Sequence, residues 1–186
     1  MRFLFLLAIG AAACGGGARS TAGTTLPMPT TKATSEMGAN DPDLSPVAVA
    51  AAGYYKRITS TARLGFFGVS LDQLEVPRAT EEVIRRYNFA SKPTLRCTMV
   101  VRSTGGGPPS GPPAGTPQNC QMQGADAAFG LNAFRRVADT VYVGGNASEV
   151  RGGSPVSSDL CLVMVWRDTA WTGAGRRGVG SRSCGR

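Results

Sequence analysis

The stretch "GLNAFRRVADTVYVGGNASEVRGGSPVSSDLCLVMVWRDTAWTGAGRR", residues 130–177, decides the fold of this chain. Its apolar residues fall into short runs separated by turn chemistry. "GLNAFRRVA" breaks at Asp139-Thr140, "VYVGGNASEV" breaks through "RGGSP" and polar serines, and "LCLVMVWR" breaks at Asp168-Thr169 before "AWTGAGRR". β-Branched and aromatic residues fit a pleated, half-buried surface, and connections this short join antiparallel neighbours, so the stretch predicts four strands in a meander. "LCLVMVWR" is apolar on both faces, as a central strand is when helices cover one side, and Pro155 falls in a connection where its missing N–H does no harm.

Upstream of the meander the period changes. In "SPVAVAAAGYYKRIT", Ser45 is placed to cap and Pro46 to open a helix, with Val47, Ala50, Ala51, Tyr54 and Ile58 at helical spacing, Asp41 and Asp43 before it, and Lys56 and Arg57 at its end. "ATEEVIRRYN" predicts a second helix: Thr80 as cap, Glu81 and Glu82 in the first turn, Arg85 and Arg86 as their i,i+4 partners, and a stripe of Val83, Ile84 and Tyr87. Between them Phe67, Val69 and Leu71 alternate with small or polar residues as one short strand, and "LRCTMVVRS" is a second, followed by a Gly/Pro-rich loop at 104–118.

The expected fold class is therefore α+β: N-terminal helices packed on one face of a curved antiparallel β-meander of four to six strands, in a single domain over residues 45–186. The order of helices then meander is similar to the cone-shaped sheets of the NTF2-like and cystatin-like folds, an analogy of fold that carries no function. An all-β sandwich is the alternative.

Five cysteines, no histidine and a net charge of +8 bound the function. Without histidine the commonest general base, the commonest metal ligand and the Ser-His and Cys-His nucleophiles are excluded. The cysteines have no C-x-x-C spacing, so a zinc ribbon is not expected, and no residue pattern calls for a metal or a cofactor. Four of them instead suggest disulfides, for which three connectivities are possible; in the expected one Cys97 and Cys120, which flank the Gly/Pro loop, close it for about 3 kcal/mol in the chain-entropy model, and Cys161 with Cys184 clamps an Arg/Gly-rich tail onto a central strand. The basic charge is nearly all arginine in an Ala/Gly-rich chain, and no nucleic-acid partner is expected.

The fifth cysteine closes "LLAIGAAAC", where an apolar run after Met1-Arg2 is too short to span a bilayer and ends in small residues. These residues resemble the signal peptide and lipobox of bacterial lipoproteins. The resemblance implies cleavage after residue 13, lipidation of Cys14 and attachment to a membrane, with Gly15 in second place leaning toward the outer membrane. The same alanines satisfy the ordinary A-x-A rule, so a secreted or periplasmic soluble protein is the alternative. Residues 14–44 would be the anchor and a tether with a reach of about 30 Å.

Two functions follow from these features. One is a non-catalytic binding or structural module of the cell envelope, its candidate ligand platform formed by Tyr142, Trp166, Arg167 and Trp171, whose aromatic faces and guanidinium suit a sugar or aromatic ligand of unknown identity, or an envelope protein. The other is a small histidine-free hydrolase or isomerase using carboxylates such as Asp139 and Asp168.

Overall fold

The computed structural model describes residues 34–100, 115–178 and 184. Residues 1–13, expected as a signal peptide, Cys14 and most of the Gly/Pro loop lie outside the described residues. In chain order the elements are β1 (Thr34–Glu36), α1 (Leu44–Ile58), β2 (Leu64–Leu71), β3 (Leu74–Glu75), α2 (Pro77–Tyr87), β4 (Ala90–Ser91), β5 (Thr94–Met99), β6 (Pro117–Gln123), β7 (Ala127–Val137), β8 (Thr140–Arg151), β9 (Ser154–Arg167) and β10 (Ala170–Arg176).

The meander forms as the turn residues require. β7, β8, β9 and β10 are consecutive antiparallel neighbours, with Thr140 opposite Val137 and Ala170 opposite Arg167 across the two tight turns. Those turns carry Ala138 and Asp168 at φ 55°, the left-handed conformation a short hairpin connection demands. The rest of the sheet departs from the expected antiparallel set of four to six strands: it has eight strands and is mixed. β2 lies parallel to β7, pairing Leu64 with Ala127, because the intervening segment containing α2 carries the chain back so that both strands run the same way. β1 pairs antiparallel with the far end of β7, β3 and β4 flank β2, and β5 with β6 makes a separate two-stranded sheet. Two helices on an open mixed sheet give a helix-plus-sheet arrangement rather than the sandwich alternative.

The ordered domain reaches further back than Ser45. Thr34, Ser35 and Glu36 pair with Val137, Arg136 and Arg135. Met37 is 4% exposed, and its N–H donates to the Phe134 carbonyl at 2.8 Å. The last part of the expected tether is thus a strand and a core side chain of the domain.

Both helices start before the expected caps, α1 by two residues and α2 by four. α1 begins at Leu44, with the Asp43 N–H bonded to Asp41 Oδ1 at 2.9 Å, so Ser45 and Pro46 lie inside the first turn. Its buried face is Leu44, Val47, Ala48, Ala51, Ala52 and Tyr55, leaving Ile58 exposed. In α2 Pro77 takes the first position, where its missing N–H costs nothing. Thr80 is therefore interior to the helix, and its buried hydroxyl accepts the Val69 N–H at 2.8 Å. That bond compensates a break in β2, where Phe67 is the extra residue between the Phe66 and Gly68 pairings with β7. Gly68 has φ +128°, a backbone only glycine adopts without strain. The bulge breaks the expected alternation at one position: Val69 is buried and Leu71 packs against the core as expected, but Phe66 is buried in place of Phe67, which is exposed.

One core joins the helices to the inner sheet face. Tyr55 of α1 lies 4.6 Å from Phe129 of β7, Phe66 lies 4.9 Å from the same ring, and Phe89 meets it edge-on at 5.5 Å. Leu160, Leu162 and Met164 of β9 and Val141 and Val143 of β8 continue this face. The α1 backbone approaches α2 closely at Gly53, whose missing side chain makes room for the Tyr87 ring, and the Tyr54 ring sits on Gly173 of β10 in the same way.

Two disulfides are present, Cys97–Cys120 across β5 and β6 and Cys161–Cys184 from β9 to the tail, each with a sequence separation of 23. The first follows the pairing of β5 with β6, which begins at Pro117, within the expected loop. Cys120 also donates its N–H to Gly153 at 2.8 Å, docking this hairpin on the β8–β9 turn. In the second, the tail returns over Gly144, where an added methyl would lie 3.1 Å from the Cys184 carbonyl oxygen.

Burial raises the pKa of the Tyr55 hydroxyl above its ordinary 10.0, with Arg176 opposing the shift and Glu149 adding to it. The neutral form is favoured in the folded state, so this contribution is complete below pH 10 and is lost as pH rises past it. Urea midpoints measured from about pH 8 to about pH 10.5 should fall for the wild type, and Tyr55→Phe should show a shallower fall. Equal slopes would mean that Tyr55 ionises as freely in the folded protein as in the unfolded chain.

Candidate functional site

The end of the sheet that carries the two tight turns lies beside the start of α1, where Asp43 precedes Leu44. Residues directly opposite in the register share a face, so Arg136, Val141 and Met164 form one row, and Trp166 and Trp171 lie opposite each other one step further along. The Trp166 N–H donates to the Asp139 carbonyl at 2.8 Å, which ties the two turns together at this end of the sheet.

The result is a recess of about 250 Å³ lined by Asp43, Arg136, Ala138, Asp139, Trp166 and Trp171. The indoles pack edge to face with centroids 5.3 Å apart, and Trp166 is 43% exposed. Arg136 lies at the back: Nη2 binds Asp43 Oδ2 at 2.6 Å, stands 3.7 Å from Asp41 Oδ1, and the guanidinium is 5.8 Å from the Trp171 ring centre. Two donors of this wall, Arg136 Nε and Trp171 Nε1, are buried with no hydrogen-bond partner among the described residues. Each unsatisfied buried donor costs about 1 to 3 kcal/mol, so the recess is not optimised for stability alone.

The four expected platform residues are not all brought together. Trp166 and Trp171 form the recess, but Tyr142 pairs with Val163 and Arg135 on the outer face, opposite in alternation to buried Val141 and Val143. Its ring there lies 5.1 Å from the Arg177 guanidinium. Arg167, one residue after Trp166, also belongs to the outer face. Of the two candidate carboxylates, Asp139 lines the recess, whereas Asp168 is exposed in the β9–β10 turn outside its lining.

Arg136 and Asp43 were not expected in a site. A signal for Arg136 was available: in "FRRV" it shares the parity of Phe134, so a charge stands where the strand's apolar face should continue. Asp43 gave no such signal, because an acid before a helix is explained by the helix dipole. In comparisons with known proteins, no family model matches the chain, and neither curated proteins nor solved structures give a significant match.

Proposed function

We propose that the protein is a cell-envelope lipoprotein whose folded domain is a non-catalytic binding module, with the tryptophan recess as its ligand site. The observation that carries the binding reading is the half-exposed Trp166 beside Trp171 and Asp139: an aromatic face for the apolar side of a sugar ring, next to a carboxylate that accepts its hydroxyls. An anionic ligand is disfavoured there, since Asp41, Asp43 and Asp139 outnumber Arg136. The two disulfides fit folding in an oxidising compartment, and no helix among the described residues is long and apolar enough to cross a membrane. Diacylglycerol on Cys14 is the proposed attachment, with the outer membrane preferred for Gly15.

The cone-shaped analogy to NTF2-like and cystatin-like sheets is kept only as a reading of the helices on one sheet face; the parallel β2–β7 pair departs from a plain meander. The carboxylate-enzyme alternative requires Asp139 and Asp168 to face one substrate, and only Asp139 borders the recess.

Both tryptophans of the chain belong to the recess, so intrinsic fluorescence reports on it directly. Titration with soluble N-acetylhexosamine oligomers should shift the emission, and Trp166→Ala should weaken that binding about tenfold. An emission spectrum unmoved by saturating oligomer would remove the sugar reading. Separately, labelled palmitate should enter the wild type and not Cys14→Ser, and equal membrane retention of both would remove the anchor.

A further inference from the structure

A second cavity, of about 390 Å³, lies at the opposite end of β7 from the recess, where α1 and α2 both finish and β2 begins. Its walls include Lys56, Arg63, Leu64, Tyr87, Asn88 and Phe89, and none of its lining residues is acidic. The volume is within the range of small-molecule sites. Its two charged lining residues, Lys56 and Arg63, are cations, and Asp126, outside the lining, is paired with Arg63.

The two cations are held in place. Lys56 Nζ donates to the Tyr87 carbonyl at 3.2 Å and stands 5.4 Å from the Phe89 ring centre and 5.9 Å from that of Tyr87. One of its three protons is used, and its position over the aromatic wall is set. Arg63 is oriented by Asp126 through Nε at 3.2 Å and Nη2 at 2.7 Å, which leaves Nη1 outside that pair. Both helices present their negative dipole ends here, each equivalent to about half a charge, but Lys56, Arg57, Arg85 and Arg86 in the two last turns outweigh them.

We propose that this cavity binds an oxyanion, a carboxylate or a phosphate monoester, carried on a small apolar or aromatic group. The anion sits between Lys56 and Arg63, and the apolar part lies along Tyr87, Phe89 and Leu64. This site is independent of the tryptophan recess and of any lipid anchor.

The test is a nitrogen–proton correlation NMR titration of the oxidised protein with three phenyl probes: phenyl phosphate, benzoate and benzamide, the neutral isostere of benzoate. Saturable shifts at the amides of Lys56, Arg63, Asn88 and Gly124 are expected with one or both anions and not with benzamide, and the indole signals of Trp166 and Trp171 should stay in place. The stronger of the two anions identifies whether the natural group is a phosphate or a carboxylate. Arg63→Gln should weaken binding about threefold to fivefold, the scale of a partly exposed ion pair. Lys56→Gln should do the same and Lys56→Arg should restore it, with circular dichroism confirming that α2, which Lys56 caps, remains folded. Equal shifts with benzamide, shifts confined to the indoles, no shift with either anion, or undiminished binding in folded Arg63→Gln and Lys56→Gln would each overturn the proposal.

Discussion

A chain beginning at Ser45 should melt about 10 to 20 degrees below the full protein, while one beginning at residue 33 should melt within a few degrees of it. The shorter chain loses β1, the core side chains of Met37 and Leu44, 4% and 1% exposed, and Asp41 and Asp43, the two carboxylates that pair Arg136. Emptying a buried methionine site costs about 2 to 5 kcal/mol. Leaving a half-buried guanidinium without its acids adds to that, and the sum is a large part of the roughly 5 to 15 kcal/mol that holds a domain together. The Ser45 chain should also lose the recess, since Arg136 is then free to move off Trp171. Thermal melts of the two chains decide the matter, and coincident curves would mean that β1 rests on the sheet without supporting it.

Gly145→Ala should leave little folded protein. A methyl at this position would overlap the Gly130 carbonyl oxygen of β7, where the strand is irregular between Leu131 and Ala133. The obstacle is backbone, so no side-chain rotation relieves it. β7 and β8 would have to separate beyond their normal spacing of about 4.8 Å at the middle of the sheet. The expected cost is about 4 kcal/mol or more, in the range where marginal domains unfold. Gly175→Ala is the control: nothing lies within 4 Å of its added methyl, and the change should be nearly silent. Soluble yield and circular dichroism of the two variants should differ sharply; a well-folded Gly145→Ala protein would mean the strands part more easily than their register implies.

The meander was legible because each of its connections is local. Asp139-Thr140 and Asp168-Thr169 interrupt apolar runs at the two tight hairpin turns, and the pairing of Trp166 with Trp171 follows from the second turn alone. Both disulfides were legible from flanking and spacing. What escaped was set at long range. The parallel pairing of β2 with β7 joins Leu64 to Ala127, and nothing local to either strand specifies it. β1 has three residues and is a strand only because the end of β7 is there to receive it. The bulge at Phe67 could have been suspected from Gly68, and the approach at Gly145 from a glycine pair inside a strand, since glycine in such a place marks a bulge or a close backbone. The recess was half legible: its aromatics lie in one hairpin, but Arg136 and Asp43 come from β7 and the start of α1, 93 positions apart, and only the fold joins them.

The antiparallel course of β1 has a mechanical consequence. Its first residue, Thr34, is at the outer end of β7 and Glu36 is further in, so a pull on the N-terminal segment reaches β1, a strand held by three register pairs, before any other strand. The short strand and Met37 should therefore yield first, releasing residues 34–42 while the other sheet strands and the Cys161–Cys184 clasp stay intact. Nine extended residues add about 30 Å of slack. A domain held by its N-terminus would thus carry a built-in shock absorber, visible in single-molecule pulling as a small early lengthening before the main rupture, and absent if β1 and the core give way together.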